Sequence, residues 1–260
     1  MARSIWNGVI SFGLVSIPVG LQAATQEKDI RFNQLHRPCG SRIKQQKFCP
    51  SCERTVESEE IDRGYEVAKG QYVVVDDNDF EALPVPSKHT IEVTSFAQAS
   101  EIDPVYFDTS YYLEPSEVGR KPYALLLRTL EQKGVAAIGK IALRNKENPC
   151  VIRAIQGTLV LETLFYEDEV RKPETAAEGI ALDDRELAMA QSLVDLLARP
   201  WEPTEHKDAY REALMDRIEA KHSGGALTTA PEMAPAQVVN LMDALKASLE
   251  EAQRKKAQSG

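Results

Sequence analysis

The sequence predicts a mainly β protein with α elements: a barrel or sandwich followed by a helical C-terminal segment. Three observations carry that prediction. Through roughly the first 165 residues, β-branched and aromatic runs follow one another, separated by Gly, Pro, Asn and Asp. A single long helical stripe interrupts them. After about residue 170 the apolar spacing turns helical and stays so. The boundary therefore falls between a barrel or sandwich core at 1–170 and a helical region at 171–260.

Taken in order, "YVVVDD", "KHTIEVTSF", "VYFDTSYYL", "VAAIGKIAL" and "CVIRAIQGTLVLETLFY" read as strands, and Gly157 marks a turn that divides the last run in two. Strand after short strand, with few helices between, favours a barrel or sandwich over a doubly wound sheet. "DNDFEAL" reads as a short helix opened by Asp77 or Asn78. "GRKPYALLLRTLEQKG" is the long helix. Pro122 suits its first turn, Tyr123, Leu126, Leu127 and Leu130 form its stripe, and Gly134 suits its C-terminal stop.

Beyond the polar linker "RKPETAAEG", three further stripes follow. Leu187, Ala190, Val194 and Leu197 form the first, closed by "RPWEP". Tyr210, Leu214 and Ile218 form the second, closed by Gly224 and Gly225. After the loose "ALTTAPEMAPA", Val238, Leu241, Met242, Leu245 and Leu249 form the third, ahead of the basic tail "RKKAQSG". Three amphipathic helices without strands of their own must dock on the barrel, on a second copy of the chain or on a partner protein. No internal repeat at a solenoid period is seen.

At 260 residues, with 43% hydrophobic and 27% charged residues, the composition is that of an ordinary globular protein. No apolar run of about eighteen residues occurs, and Asn7, Ser11 and Ser16 interrupt the N-terminal apolar stretch. No membrane association is expected, and the expected location is cytoplasmic. The net charge of -9 at first opposes a nucleic-acid partner. The charges are segregated, however: seven basic residues face two acidic ones between Lys28 and Arg54, and eight face two between Arg120 and Arg153. One positive surface on an acidic body would follow, unless the fold scatters these charges over several faces.

Three of the four cysteines and one histidine gather in "RFNQLHRPCGSRIKQQKFCPSCERTV". The spacing His36-x2-Cys39-x9-Cys49-x2-Cys52 gives two tight pairs that suit one tetrahedral ion. Zinc fits this donor set, and four protein ligands at 36–52 would make the site structural rather than catalytic. Gly40 and Pro50 are turn formers of the kind such knuckles use. Between the pairs lie Arg42, Lys44 and Lys47, so a bound metal would hold a basic finger rigid. The bland alternatives are a surface histidine with reduced spectator thiols, or a redox Cys-x-x-Cys pair, which lacks its usual βαβ setting. Cys150, alone ahead of a strand, reads as a small core residue.

No phosphate-binding P-loop, dinucleotide fingerprint, nucleophile elbow or metalloprotease motif is present, so no nucleotide cofactor and no enzymatic activity are expected. His89, His206 and His222 read as structural or solvent-facing. The acidic clusters "VESEEID", "VDDND" and "YEDEV" fall where turns and helix starts are expected, and there they cap and solvate more readily than they form a two-metal centre.

Several stretches in one order carry a resemblance that covers nearly the whole chain. "RSIWNGVISFGLVSIPVGL", "YEVAKGQYVVV", "EIDPVYFDTSYYLEP", "YALLLRTLEQKGVAAIGKIALR" and "LETLFYEDEVR" resemble the bacterial Ku family of DNA end-binding proteins, and "ELAMAQSLVDLLARPWEPTEHKDAYREALMDRIEAK" resembles the segment after that family's barrel. The resemblance implies a homodimer whose β-barrels and protruding arms form a ring around a double-stranded DNA end. It further implies a role in non-homologous end joining, recruitment of the ATP-dependent DNA ligase D through the helical segment, and association with the nucleoid when bound to DNA. A ring that reads no sequence relies on backbone contacts from lysine and arginine. Arg42, Lys44, Lys47, Arg120, Lys121, Lys140, Arg144, Lys146 and Arg153 form the pool expected to face DNA. The long lysine-rich tail of many bacterial relatives is reduced here to Arg254, Lys255 and Lys256.

Two other readings compete. A zinc-ribbon nucleic-acid or protein adaptor would bind without needing a free end. A nuclease or phosphoesterase built on the acidic clusters would cleave in a divalent-metal-dependent way.

Overall fold

The computed structural model describes residues 4–81, 89–143, 146–173, 179–224 and 241–258. The chain forms two compact units, Met1–Lys172 and Pro173–Gly260.

The first unit opens with a hairpin of β1 (Trp6–Phe12) and β2 (Val15–Ala23), turning at Gly13 with φ +58°. The strand-like runs of the sequence do not include this hairpin. Asn7, Gly8, Ser11, Ser16, Pro18 and Gly20 punctuate it, and only the strict alternation of Ile17, Val19 and Leu21, all buried, betrays a half-buried strand. Residues 24–89 then leave the barrel. They contain the hairpins β3 (Phe48–Cys49) with β4 (Arg54–Thr55) and β5 (Arg63–Ala68) with β6 (Gln71–Val75), followed by the short helix α1 (Asp77–Glu81). "YVVVDD" is thus a strand, but of an outlying hairpin.

The barrel resumes with β7 (Thr90–Gln98) and β8 (Phe107–Pro115), then α2 (Arg120–Lys133), β9 (Val135–Leu143), β10 (Lys146–Ile155) and β11 (Thr158–Leu164). Its order is β1-β2-β8-β11-β10-β9-β7, closed on itself, which settles barrel over sandwich. Six of the junctions are antiparallel. An odd number of strands cannot alternate all the way round, so the seventh junction must be parallel. It is β1 with β7, where Val9, Ile10 and Ser11 face Thr90, Ile91 and Glu92. The turn between β10 and β11 has both Gln156 (φ 50°) and Gly157 (φ 76°) in the left-handed region, the geometry that matches strand twist in a two-residue hairpin.

Inside the barrel, Ile10, Ile17, Leu21, Ile91, Leu113, Ile141, Ile152, Leu159 and Leu161 are fully buried. Tyr123, Leu126 and Leu130 bring the buried face of α2 onto this cluster, with Leu127 partly buried beside it. Gly134 ends α2 in the left-handed conformation, as its position in the sequence predicts. The hydroxyl of Tyr123 donates to the carbonyl of Leu113 (2.9 Å) and accepts from the amide of Leu159 (2.8 Å), residues that face each other across β8 and β11. A single phenol therefore joins α2 to two strands and satisfies two buried backbone groups.

In the second unit, α3 (Asp184–Leu197) is capped by Asp183, whose carboxylate accepts from the amides of Arg185 and Glu186. The carboxylate of Asp208 accepts from the Arg211 amide to cap α4 (Ala209–His222). The helix α5 (Leu241–Gln258) packs against α3. Leu187, Val194 and Leu197 on the first stripe and Tyr210 on the second remain exposed. Gly225, the loose segment 226–236 and Val238 lie outside the described residues.

Tyr123→Phe keeps the ring but removes the hydroxyl, leaving the Leu159 amide buried without a partner. We expect a loss of about 1–3 kcal/mol in unfolding free energy by denaturant titration. An unchanged midpoint would mean that the hydroxyl joins nothing essential.

Candidate nucleic-acid interface

Among its described residues, the excursion from the barrel is exposed almost throughout. Phe32, Leu35, Ile43 and Phe48 in its first part, and Tyr65, Val67, Tyr72, Val73 and Val74 in the β5–β6 hairpin, are large apolar side chains left open to solvent. A two-stranded hairpin without a covered face is marginal in water. Both sides of β5–β6 therefore await another surface.

Arg42, Lys44 and Lys47 lie on this excursion, all exposed and, among the described residues, without an ion-pair partner. Lys28, Arg31 and Arg37 share that condition. They belong to the basic run seen in the sequence but stand outside the nine residues singled out there. Only their free position on the same exposed segment adds them.

Arg120 and Lys121 occupy the first turn of α2, exposed, with no acidic residue in that turn. Cations are disfavoured at the positive end of a helix dipole, so helix stability does not explain them. An anion arriving there would meet two cations and the dipole together.

The strand cations fare differently. Lys140 pairs with Glu147 at 2.7 Å, which raises its pKa, and Lys146 pairs with Glu169 at 3.5 Å. Such exposed pairs are screened by solvent and weak enough for a phosphate to compete. Arg153 is committed elsewhere. Its guanidinium grips the buried Glu162 through two bonds of 2.6 and 2.7 Å and lies 4.6 Å over the Phe107 ring. Its reading as a DNA-facing cation gives way to a structural one, because releasing it would strand a buried carboxylate. Arg144 lies outside the described residues.

The four metal-type ligands form two pairs. The Nδ1 of His36 is 3.0 Å from the Sγ of Cys39, and the Cys49 and Cys52 thiols are hydrogen-bonded to each other. Among the described residues no group of three or more such side chains converges. The Ser41 hydroxyl, His36 and the Ser41 amide lower the Cys39 pKa to about 7. The amide and thiol of Cys52 lower that of Cys49, and the same contact raises that of Cys52. Cys150 is a fully buried core residue, its thiol pushed up to about 12 by burial.

The acidic clusters act as caps. Asp76 accepts from the amides of Asn78 and Asp79 at the start of α1. Glu60 accepts from the Glu57 amide and from Arg54, and Glu169 accepts from the Tyr166 amide. Among the histidines, His89 shares a 3.0 Å hydrogen bond with the Asn7 carbonyl where the barrel closes, His206 stacks on Trp201, and His222 ends α4. Among the described residues no helix is long and apolar enough to cross a membrane.

Residues 11–189 match the family described as the Ku70/Ku80 beta-barrel domain. The chain is 47% identical over 261 residues to a protein of Symbiobacterium thermophilum named Non-homologous end joining protein Ku, covering 98% of this chain and 64% of that protein. Proteins of the same name from Desulfitobacterium hafniense and Bacillus subtilis are 40% and 37% identical. These matches cover 99% and 97% of this chain, and 90% and 83% of those proteins.

The contrast between committed and free cations is measurable. Arg153→Ala should lower the unfolding free energy by about 3 kcal/mol, the lower end for breaking a buried pair, since the arginine keeps some solvent access. Arg42→Ala should leave it within about 0.5 kcal/mol. Equal stability of the two variants would show that the Glu162 interaction carries no weight.

Proposed function

This chain belongs to the Ku family, and from that premise we propose that it is a sequence-independent binding protein for double-stranded DNA ends, acting in non-homologous end joining as a homodimer threaded onto the break. The observation that carries the reading is the exposed stretch from Lys28 to Lys47, in an excursion from a closed barrel, where Lys28, Arg31, Arg37, Arg42, Lys44 and Lys47 meet only Asp29 and, among the described residues, have no ion-pair partner. Arg42, Lys44 and Lys47 lie on loop backbone outside any helix, a placement that suits backbone contact rather than base reading. The uncovered apolar side chains of β5 and β6 supply a surface that a second copy of the chain can bury. The role is one of enclosure and presentation, with the DNA left chemically unchanged.

Recruitment of the ATP-dependent DNA ligase D is assigned to the second unit. Val194 and Leu197 on α3 are exposed, and apolar side chains at helical spacing are what a partner groove recognises. Val194→Glu should abolish stimulation of the ligase on nicked or broken duplex while leaving DNA binding unchanged. Undiminished stimulation would place the ligase-binding surface elsewhere.

An electrophoretic assay comparing a linear duplex with the same duplex closed into a circle tests threading directly. Binding to the linear form alone is expected. Equal binding to both would favour the zinc-ribbon adaptor, for which the paired Cys and His knuckles speak. On the linear duplex, the triple change Arg42→Ala, Lys44→Ala, Lys47→Ala should flatten the dependence of log affinity on log salt by about 2–3, close to one for each phosphate that is no longer neutralised. An unchanged slope would remove these three from the interface.

A further inference from the structure

In the first part of the excursion the chain turns back on itself and then opens. The His36 amide donates to the Ser41 carbonyl at 2.8 Å, Leu35 bridges Arg42, and the Ile43 amide donates to the Gln34 carbonyl at 3.0 Å. There the pairing stops. No backbone hydrogen bond joins residues 31–33 to residues 44–47, and a cleft of about 590 Å³ lies between 32–34 on one side and 42–45 on the other. Phe32 lines one wall, with 69% of its surface in water. Arg42 and Lys44 line the other, exposed and, among the described residues, without an ion-pair partner. Asn33, Gln34 and Gln45 complete the lining, and among the described residues none of their carboxamides is hydrogen-bonded within the chain.

The lining selects its occupant. Ile43 is the one apolar side chain beside the ring, which is too little for the contiguous apolar centre of a protein interface. Its charges are positive only, and between Lys28 and Lys47 the sequence holds a single carboxylate, Asp29, so a polyanion is the complement. Duplex bases leave the ring and the carboxamides idle, because each is stacked on both faces and paired along its edge. An unpaired base has both free. It presents a π face to an aromatic ring and a polar edge to groups that donate and accept at once, as carboxamides do. The volume is of the size that encloses one such group.

We propose that this cleft takes the first unpaired base of a DNA end that carries a single-stranded overhang, with the base face on the Phe32 ring, its edge toward the carboxamides and its flanking phosphates on Arg42 and Lys44. The inference rests on the end-binding reading above and adds to it a preference for ends with an unpaired extension. Arg42 and Lys44 serve the phosphates of either kind of end, whereas the ring and the carboxamides serve only the unpaired one. Every base has a π face, so the preference is for strandedness and not for sequence.

The test titrates the full chain, at matched salt, against labelled linear duplexes of three kinds: blunt, with a short overhang, and with the same overhang carrying a baseless spacer at its first position. The last keeps every phosphate of the second and lacks one base, which separates stacking from added charge. Fluorescence anisotropy should show the overhang bound about five- to a hundredfold more tightly than its spacer version, the span that one base stacked on an aromatic ring supplies. Phe32→Ala should bring those two affinities together and leave that for the blunt duplex unchanged, while Phe32→Trp, a larger ring in the same place, should keep the gap. Iodouracil at the first unpaired position should crosslink within residues 31–45 on irradiation. Equal wild-type affinity for overhang and spacer, an equal loss on all three duplexes with Phe32→Ala, or a crosslink outside 31–45 would each overturn the proposal. So would a changed oligomeric state of Phe32→Ala in sedimentation, which would assign the ring to a subunit contact. A wild-type chain that binds none of the three duplexes would instead sink the end-binding reading itself, and this inference with it.

Discussion

The parallel seam between β1 and β7 is the constraint on which the rest of this protein depends. Seven strands close only if one junction breaks the antiparallel alternation, and that junction joins the first strand of the barrel to the one that follows the long excursion. Close backbone approach makes it possible. A β-carbon on Gly8 would come within 2.3 Å of both the His89 carbonyl oxygen and the Trp6 ring, so no larger residue fits without moving the seam. The Val9 amide donates to that same His89 carbonyl at 2.9 Å. On the other side of β7, Gly139 of β9 allows the backbone of Glu92 equally near. With the seam closed, the excursion that follows β2 and precedes β7 is a loop whose two ends are fixed on either side of β1.

That anchoring separates two kinds of structure within one unit. The barrel buries its apolar side chains and uses polar groups sparingly, as where Tyr123 bridges β8 and β11 or Arg153 neutralises Glu162. Among the described residues, no buried side-chain polar atom lacks a partner. The excursion does the reverse, exposing aromatic and branched side chains beside unpaired cations. Such a surface leaves apolar and charged side chains in water together, which is unfavourable in an isolated chain.

Charge acts locally here. The chain is acidic overall, and several carboxylates, Asp76, Glu60, Glu169, Asp183 and Asp208 among them, are held by amide donors in caps. Between Lys28 and Lys47, six cations meet a single carboxylate, Asp29. Within a Debye length of about 8 Å at physiological salt, a phosphate meets the local balance and not the net charge.

The sequence by itself determined what depends on neighbours along the chain. The stripe of α2 and its stop at Gly134, the turn at Gly157, the caps in the acidic clusters, the buried Cys150 and the pairing of each knuckle all rest on interactions within a few residues, which spacing and residue type report. Family membership was legible too, because it rests on many such stretches in order. The tertiary structure alone decided matters that depend on distant residues. The hairpin of β1 and β2 is broken by glycine and proline that make sense only beside β7 and β8. "YVVVDD" is as β-branched as a barrel strand but pairs outside the barrel. Arg153 and Arg42 are the same letter, yet one faces a buried glutamate on the adjoining strand and the other faces solvent. A residue type fixes the charge a position carries, whereas only the packed chain fixes the dielectric and the partner that charge will meet.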